Sequence, residues 1–119
     1  MYDHISLRVR DLAASTRFYQ AALAPLGFVL CSQDDDTASF GPPEAPALWL
    51  NRTAEAPTSG VHLAFVATDR AAVDRFYAAA MHAGGRDNGA PGICLEYGPT
   101  YYGAFVLDPD GNNVEAVNA

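Results

Sequence analysis

Three residues in this sequence have types that could do chemistry together: His4, His62 and Glu115. Two neutral imidazoles and one carboxylate form a 2-His-1-carboxylate set, which grips a divalent ion on one side and leaves about three of six octahedral positions open. Water or a chelating substrate fills those positions. Glu115 lies in NVEAV, between Val114 and Ala116 in an otherwise apolar run. An unpaired carboxylate is expensive to bury, so a charge placed there needs a partner. His4 opens HISLRV and His62 opens HLAFV. A lone histidine on a strand is more often a satisfied surface or core residue than a ligand. A joint role is favoured by Glu115, which supplies the acidic member of the set.

The histidines recur because the sequence repeats. Shifted by 58 residues against itself, the stretch His4 to Gly27 matches His62 to Gly85 at ten of 24 positions, among them Asp11/Asp69, Arg17/Arg75, Phe18/Phe76 and Tyr19/Tyr77. Chance in an alanine-rich chain would supply about two such identities. A duplicated module generally folds with an approximate two-fold axis, so His4 and His62 form an equivalent pair. Descent from the duplication alone would also give a second histidine, but Glu115 has no counterpart in the first copy. Aligning the module ends through Asn51 and Asn118 brings Trp49 close to the position of Glu115. An indole therefore stands at, or next to, the place of a fourth ligand, and would form an apolar wall beside a bound molecule.

The elements that must position these residues follow from periodicity. In HISLRV, Ile5, Leu7 and Val9 alternate with His4, Ser6 and Arg8, which marks a half-buried strand, and VHLAFVA keeps its histidine on the corresponding face. Asp11 and Asp69 stand where a helix N-cap belongs, ahead of alanine-rich segments with Phe18, Tyr19, Ala22 and Leu23 at helical spacing. Gly27 and Gly85 follow where those helices end. Short strands are predicted at FVLCS, TASFG and ALWLN in the first copy and at ICLEY, YYGAFVL and NNVEAV in the second. Asp108-Pro109-Asp110-Gly111 reads as a tight hairpin turn that makes the last two strands antiparallel neighbours. The expectation is an α+β fold of two tandem β-α-β-β-β modules in one domain, 1–119, with module one at about 1–57 and module two at about 58–119.

Composition removes several function classes. Fourteen acidic against seven basic residues give a formal charge of −7, and all seven basic residues are arginine. The absence of lysine excludes a lysine Schiff base, a P-loop lysine and a polybasic patch for nucleic acid or membrane. With 22 alanines, codon bias explains the missing lysine better than function does. At 50% apolar residues the chain can build an ordinary core, and a chain of this size buries about two-thirds of its surface. Cys31 and Cys94 lie in strand-like apolar runs without metal-ligand spacing and read as buried thiols in a reducing compartment. No signal sequence or membrane-length apolar run is evident, so a cytoplasmic location is expected.

The duplicated β-α-β-β-β pattern, the openings DHISLRVRDLAASTRFY and VHLAFVATDRAAVDRFY, and the closing YYGAFVLDPDGNNVEAV resemble the vicinal oxygen chelate superfamily. This group includes glyoxalase I, methylmalonyl-CoA epimerase, fosfomycin-modifying glutathione transferases, extradiol dioxygenases and bleomycin-resistance proteins. The resemblance covers essentially the whole chain and implies a glyoxalase-like cupped sheet. It implies a divalent metal (Mn, Fe, Zn, Ni or Mg) on His4, His62 and Glu115, and a homodimer with two equivalent sites. It places modules either within one chain or between two chains.

What such a site does depends on its metal and on nearby acid-base groups. A divalent ion on two imidazoles and a carboxylate takes two neighbouring substrate oxygens and stabilises an enolate or oxyanion. Arg8, on the strand face of His4, could hold a substrate carboxylate or phosphonate, although an arginine paired with one of many surface acids is the commoner case. Tyr101 and Tyr102 alternate across their strand, so one enters the cup as a hydroxyl donor while the other packs outward. We assign Tyr102 a catalytic role with Glu115, and Tyr101 to the substrate with Trp49 and Arg8. His82 reads as a solvent-facing residue near a helix C-terminus.

Two functions follow. The first is a metal-dependent lyase, isomerase or dioxygenase on a small substrate. The second is a metal-free binder of a drug or metabolite, for which the −7 charge would attract a cationic ligand. The missing lysine weakens a glutathione-transferring role, His82 is poorly placed for the extra histidine of an extradiol dioxygenase, and a methylglyoxal-type lyase lacks its fourth ligand.

Overall fold

The computed structural model describes residues 1–119. The first alternating run forms β1 (Ile5–Val9), with Leu7 and Val9 buried and Ser6 and Arg8 exposed. Asp11 caps α1 (Leu12–Leu23) by accepting from the Ala14 N–H at 3.0 Å, as a short acidic side chain at an N-cap does. A single 3-10 turn, Ala24–Leu26, leads to β2 (Val29–Gln33), β3 (Thr37–Gly41) and β4 (Leu48–Arg52). The second copy gives β5 (His62–Val66), α2 (Arg70–His82), β6 (Arg86–Ile93), β7 (Tyr102–Leu107) and β8 (Asn113–Asn118). Asp69 caps α2 through the Ala72 N–H at 2.7 Å. The predicted β-α-β-β-β order is present twice.

Each copy makes its own four-stranded sheet, in the orders β1-β4-β3-β2 and β5-β8-β7-β6. The opening strand runs parallel to the closing strand, and the other pairings are antiparallel. One helix covers one face of each sheet, and α1 packs on α2 so that 21 buried apolar residues form a single core. Fully burying Phe18, Phe40 or Phe76 is worth about 1.5–3 kcal/mol each. The modules are also tied by the predicted hairpin turn. There Gly111 N–H donates to Asp108 O at 3.1 Å, and the buried Asp108 carboxylate accepts from Tyr19 Oη of α1 at 2.5 Å. The linker closes the free edge of β1, where Thr58 N–H donates to Arg8 O and Arg8 N–H donates to Thr58 Oγ1, both at 2.9 Å.

Three local expectations change. The strand expected at ICLEY lies earlier, at Arg86–Ile93, and Cys94 to Tyr97 form a turn. RDNGAPGI carries no apolar alternation. It is an edge strand held by backbone pairing to β7, with irregular register at Gly89 and Gly92 that accommodates Pro91. The repeated glycines also differ in purpose. Gly27 adopts a left-handed φ of 87°, but in the second copy that conformation belongs to Gly84 at φ 97°. Gly85 is small for packing, since a Cβ there would lie 2.7 Å from Ala80 O and 2.8 Å from Phe18 Cε1. Finally, Cys31 and Cys94 are free thiols and only half-buried.

Candidate functional site

The register of the parallel pairs fixes where the chemistry-bearing side chains stand. In the second sheet Ala64 of β5 lies opposite Glu115 of β8, and in the first Ser6 of β1 lies opposite Trp49 of β4. Ser6 and Ala64 are equivalent in the repeat, so Trp49 itself, rather than its neighbour, occupies the place of Glu115. His4 and His62 stand at the start of the opening strands, on the faces turned away from the helices.

Glu115 is the most constrained of these groups. Its side chain is 1% exposed, no arginine pairs with it, and both carboxylate oxygens are engaged. Oε1 lies 2.7 Å from His62 Nε2, and Oε2 accepts from Tyr101 Oη at 2.5 Å. Hydrogen bonds to a charged partner are stronger than neutral ones, which offsets the cost of burial. The imidazole side chain is 49% exposed and lies beside the Phe105 ring, at 6.2 Å between centroids. The pair therefore opens onto the uncovered face of its sheet. Burial, then the hydrogen bond to Glu115 and its charge, raise the Tyr101 phenol well above its ordinary range. Burial and the charges of Glu115 and Glu96 push the Cys94 thiol up as well.

The other predicted residues lie elsewhere. His4 is exposed, with Nδ1 2.6 Å from Asp3 Oδ1, in an open cleft of about 530 Å³ lined by Asp3, His4, Glu44, Ala45, Pro46 and Trp49. Arg8 is exposed and makes no ion pair, against the expectation that a surface acid would claim it. Tyr102 does not enter the site. Its hydroxyl donates to Asp74 Oδ1 of α2 at 2.6 Å, and its ring lies under the Arg70 guanidinium at 5.1 Å. Successive strand residues point to opposite faces, and Tyr102 shares its face with the core residues Ala104 and Val106, so the hydroxyl reaching Glu115 belongs to Tyr101. The same alternation puts Gly103 and Phe105 on the Tyr101 face, a signal that YYGAFVL already carried.

A divalent ion fits these donors in type but not, within one chain, in number. His62 Nε2 and Glu115 Oε1 share a proton where the same two lone pairs could hold a larger cation. His4 is on the other sheet, and no group of three histidine, cysteine, aspartate or glutamate side chains able to hold a metal forms in the chain.

The fold is thus two β-α-β-β-β modules, each presenting a histidine on the sheet face away from its helix. The chain belongs to the Glyoxalase/Bleomycin resistance protein/Dioxygenase superfamily, whose family model matches residues 2–116. It is similar to a glyoxalase/bleomycin resistance protein from Albidiferax ferrireducens T118, at 27% identity and a TM-score of 0.86 over 100% of this chain and 98% of that one. A glyoxalase/bleomycin resistance protein/dioxygenase family enzyme from Burkholderia phytofirmans PsJN shares the fold at 24% identity and a TM-score of 0.73, over 98% and 96% of the two chains. So does an E144Q mutant of glyoxalase I from Zea mays, at 22% identity and 0.74, where the match spans 99% of this chain and 45% of that one. No curated protein matches the sequence. No helix is long and apolar enough to cross a membrane.

Proposed function

We propose that this protein is a divalent-metal-dependent enzyme of its superfamily, of lyase, isomerase or dioxygenase type, acting on a small substrate through two neighbouring oxygens. The observation that carries this reading is Glu115: a buried carboxylate with no arginine beside it, whose partners are a half-exposed imidazole and a phenol hydroxyl. Burying a carboxylate is costly for stability alone, and an oxygen and an imidazole nitrogen side by side on an open sheet face suit a divalent ion. We place the third donor, His4, on a second copy of the chain, so that a homodimer carries two equivalent sites.

When bound, a divalent ion would supply Lewis-acid stabilisation of an enolate or oxyanion. The chain's residues then divide the remaining work. Glu115 provides the anionic donor and His62 a neutral one. Trp49 offers an apolar wall, and the unpaired Arg8 a guanidinium for an anionic substrate group.

The test is metal content and equilibrium dialysis of untagged protein with Mn, Ni and Zn salts. One ion per chain is expected, with binding lost in His4→Ala, His62→Ala and Glu115→Gln. Absence of saturable binding, or binding indifferent to these changes, overturns the reading.

A second reading has its own support. The cleft at Trp49 carries Asp3 and Glu44 in a protein of charge −7, which suits a cationic ligand stacked on the indole without any metal. Calorimetry with a cationic glycopeptide separates the two. Tight binding that a chelator leaves unchanged and Trp49→Ala abolishes supports the binder.

A further inference from the structure

We infer that Tyr101 is the positioning residue of Glu115, fixing the plane in which the carboxylate meets His62. The role differs from substrate contact, because the hydroxyl is already committed: Tyr101 Oη donates to Glu115 Oε2 at 2.5 Å, opposite the His62 contact to Oε1 at 2.7 Å. A carboxylate turns readily about its last bond, where the torsional preference is broad and two-fold. One donor on each oxygen removes that freedom.

The surroundings are built to hold the phenol there. Cys94 N–H donates to Tyr101 O at 2.8 Å and Tyr101 N–H to Gly98 O at 3.3 Å, so the turn after β6 pins the backbone from both sides. The ring packs against Tyr97 with centroids 5.1 Å apart. Gly103 leaves room for the contact, since a Cβ at that position would lie 3.2 Å from Glu115 Oε2 and 3.3 Å from Tyr101 Cε1. The first module has no such arrangement, because Trp49 replaces the carboxylate.

Without the hydroxyl, Oε2 becomes a buried acceptor with no donor, and the carboxylate rotates toward any donor it can reach. His62 then loses a fixed partner. The consequence for metal binding rests on the reading above, but the positioning itself is measurable in metal-free protein.

The experiment compares wild type with Tyr101→Phe, which keeps the ring and its packing. Long-range proton–nitrogen NMR of histidine-labelled apo-protein, with His4→Gln and His82→Gln for assignment, reports the His62 tautomer. A single Nε2–H tautomer is expected in wild type and a mixture in Tyr101→Phe; the same single tautomer in both overturns the inference. Co(II) titration supplies the second readout: the variant's affinity is expected to fall about tenfold to a hundredfold, as for other residues that orient a ligand. Equal affinity and an unchanged Co(II) spectrum in both proteins also overturn it. If wild type binds no Co(II), the metal reading fails and the tautomer alone decides the role of Tyr101.

Discussion

Trp49 and Glu115 stand at the same place in the two sheets, each opposite the third residue of the repeat that begins at His4 or His62. The duplication has kept both histidines and left only one carboxylate. The equivalent position is therefore an indole in the first sheet and a buried carboxylate in the second.

Replacing the indole should restore the symmetry. Trp49 is half-exposed on the open face of its sheet, so Trp49→Glu is expected to leave the fold intact and to add an anionic donor. Because affinity for hard divalent ions rises with the number of charged ligands, a gain of about tenfold or more is expected for Mn(II). Equilibrium dialysis checks it; an affinity equal to wild type would show that position 49 does not face the ion.

Removing His62 should cost stability as well as binding. His62→Ala strips Glu115 of one of its two partners and leaves a carboxylate that is 1% exposed with Tyr101 alone. A loss of about 1–3 kcal/mol is expected. Glu115→Gln removes the charge and should recover part of that loss in the double variant, so a urea double-mutant cycle reads the coupling directly. Additive losses would mean that the two side chains do not depend on each other.

How far the sequence reveals this molecule depends on whether a feature is local. The repeat, the two aspartate caps and the Asp108–Gly111 turn were legible because each rests on a few neighbouring residues. The edge strand β6 was not, because its pairing with β7 is made by backbone and its sequence has no face. The catalytic role expected of Tyr102 fails on a pattern the sequence carries: its alternation with Ala104 and Val106 assigns it to the core side. The separation of His4 from His62 was illegible for another reason. It is set by α1 packing on α2 and by Thr58 along the edge of β1, contacts between modules that no period within a module encodes.

Gly85 is packed closely between α2, α1 and β7. A methyl group there would press on Ala80 O, Phe18 Cε1 and a Val106 methyl at once, and two of these belong to a core that cannot yield cheaply. Gly85→Ala is expected to destabilise by about 1–3 kcal/mol, as overpacking does. Gly27→Ala tests the other mechanism, since nothing lies within 4 Å and only its φ of 87° is strained. Thermal unfolding of the pair should show core disruption, seen as altered near-ultraviolet dichroism, in the first alone.

Alkaline pH should unfold the protein through two tyrosines. Burial, reinforced by the charge of Asp108, raises Tyr19 well above its ordinary range, and burial with the Glu115 hydrogen bond does the same for Tyr101. In the unfolded chain both phenols ionise near pH 10. The folded chain therefore holds more protons than the unfolded one above that pH, so this stability is fully present below about pH 10 and is lost as pH rises beyond it. Tyr19, which is fully buried, should alone contribute a slope of about 1.4 kcal/mol per pH unit. Tyr77 and Tyr102 are raised by bonds to Asp87 and Asp74, but both are in reach of solvent and should add little. Urea midpoints at pH 9, 10 and 11 should fall steadily in wild type and more shallowly in Tyr19→Phe. Absorbance at about 295 nm should show some of the six tyrosines ionising only with unfolding, consistent with a free phenol range near pH 10. Smooth titration of all six around that pH, with the circular dichroism of the fold intact, would refute the role of both hydroxyls.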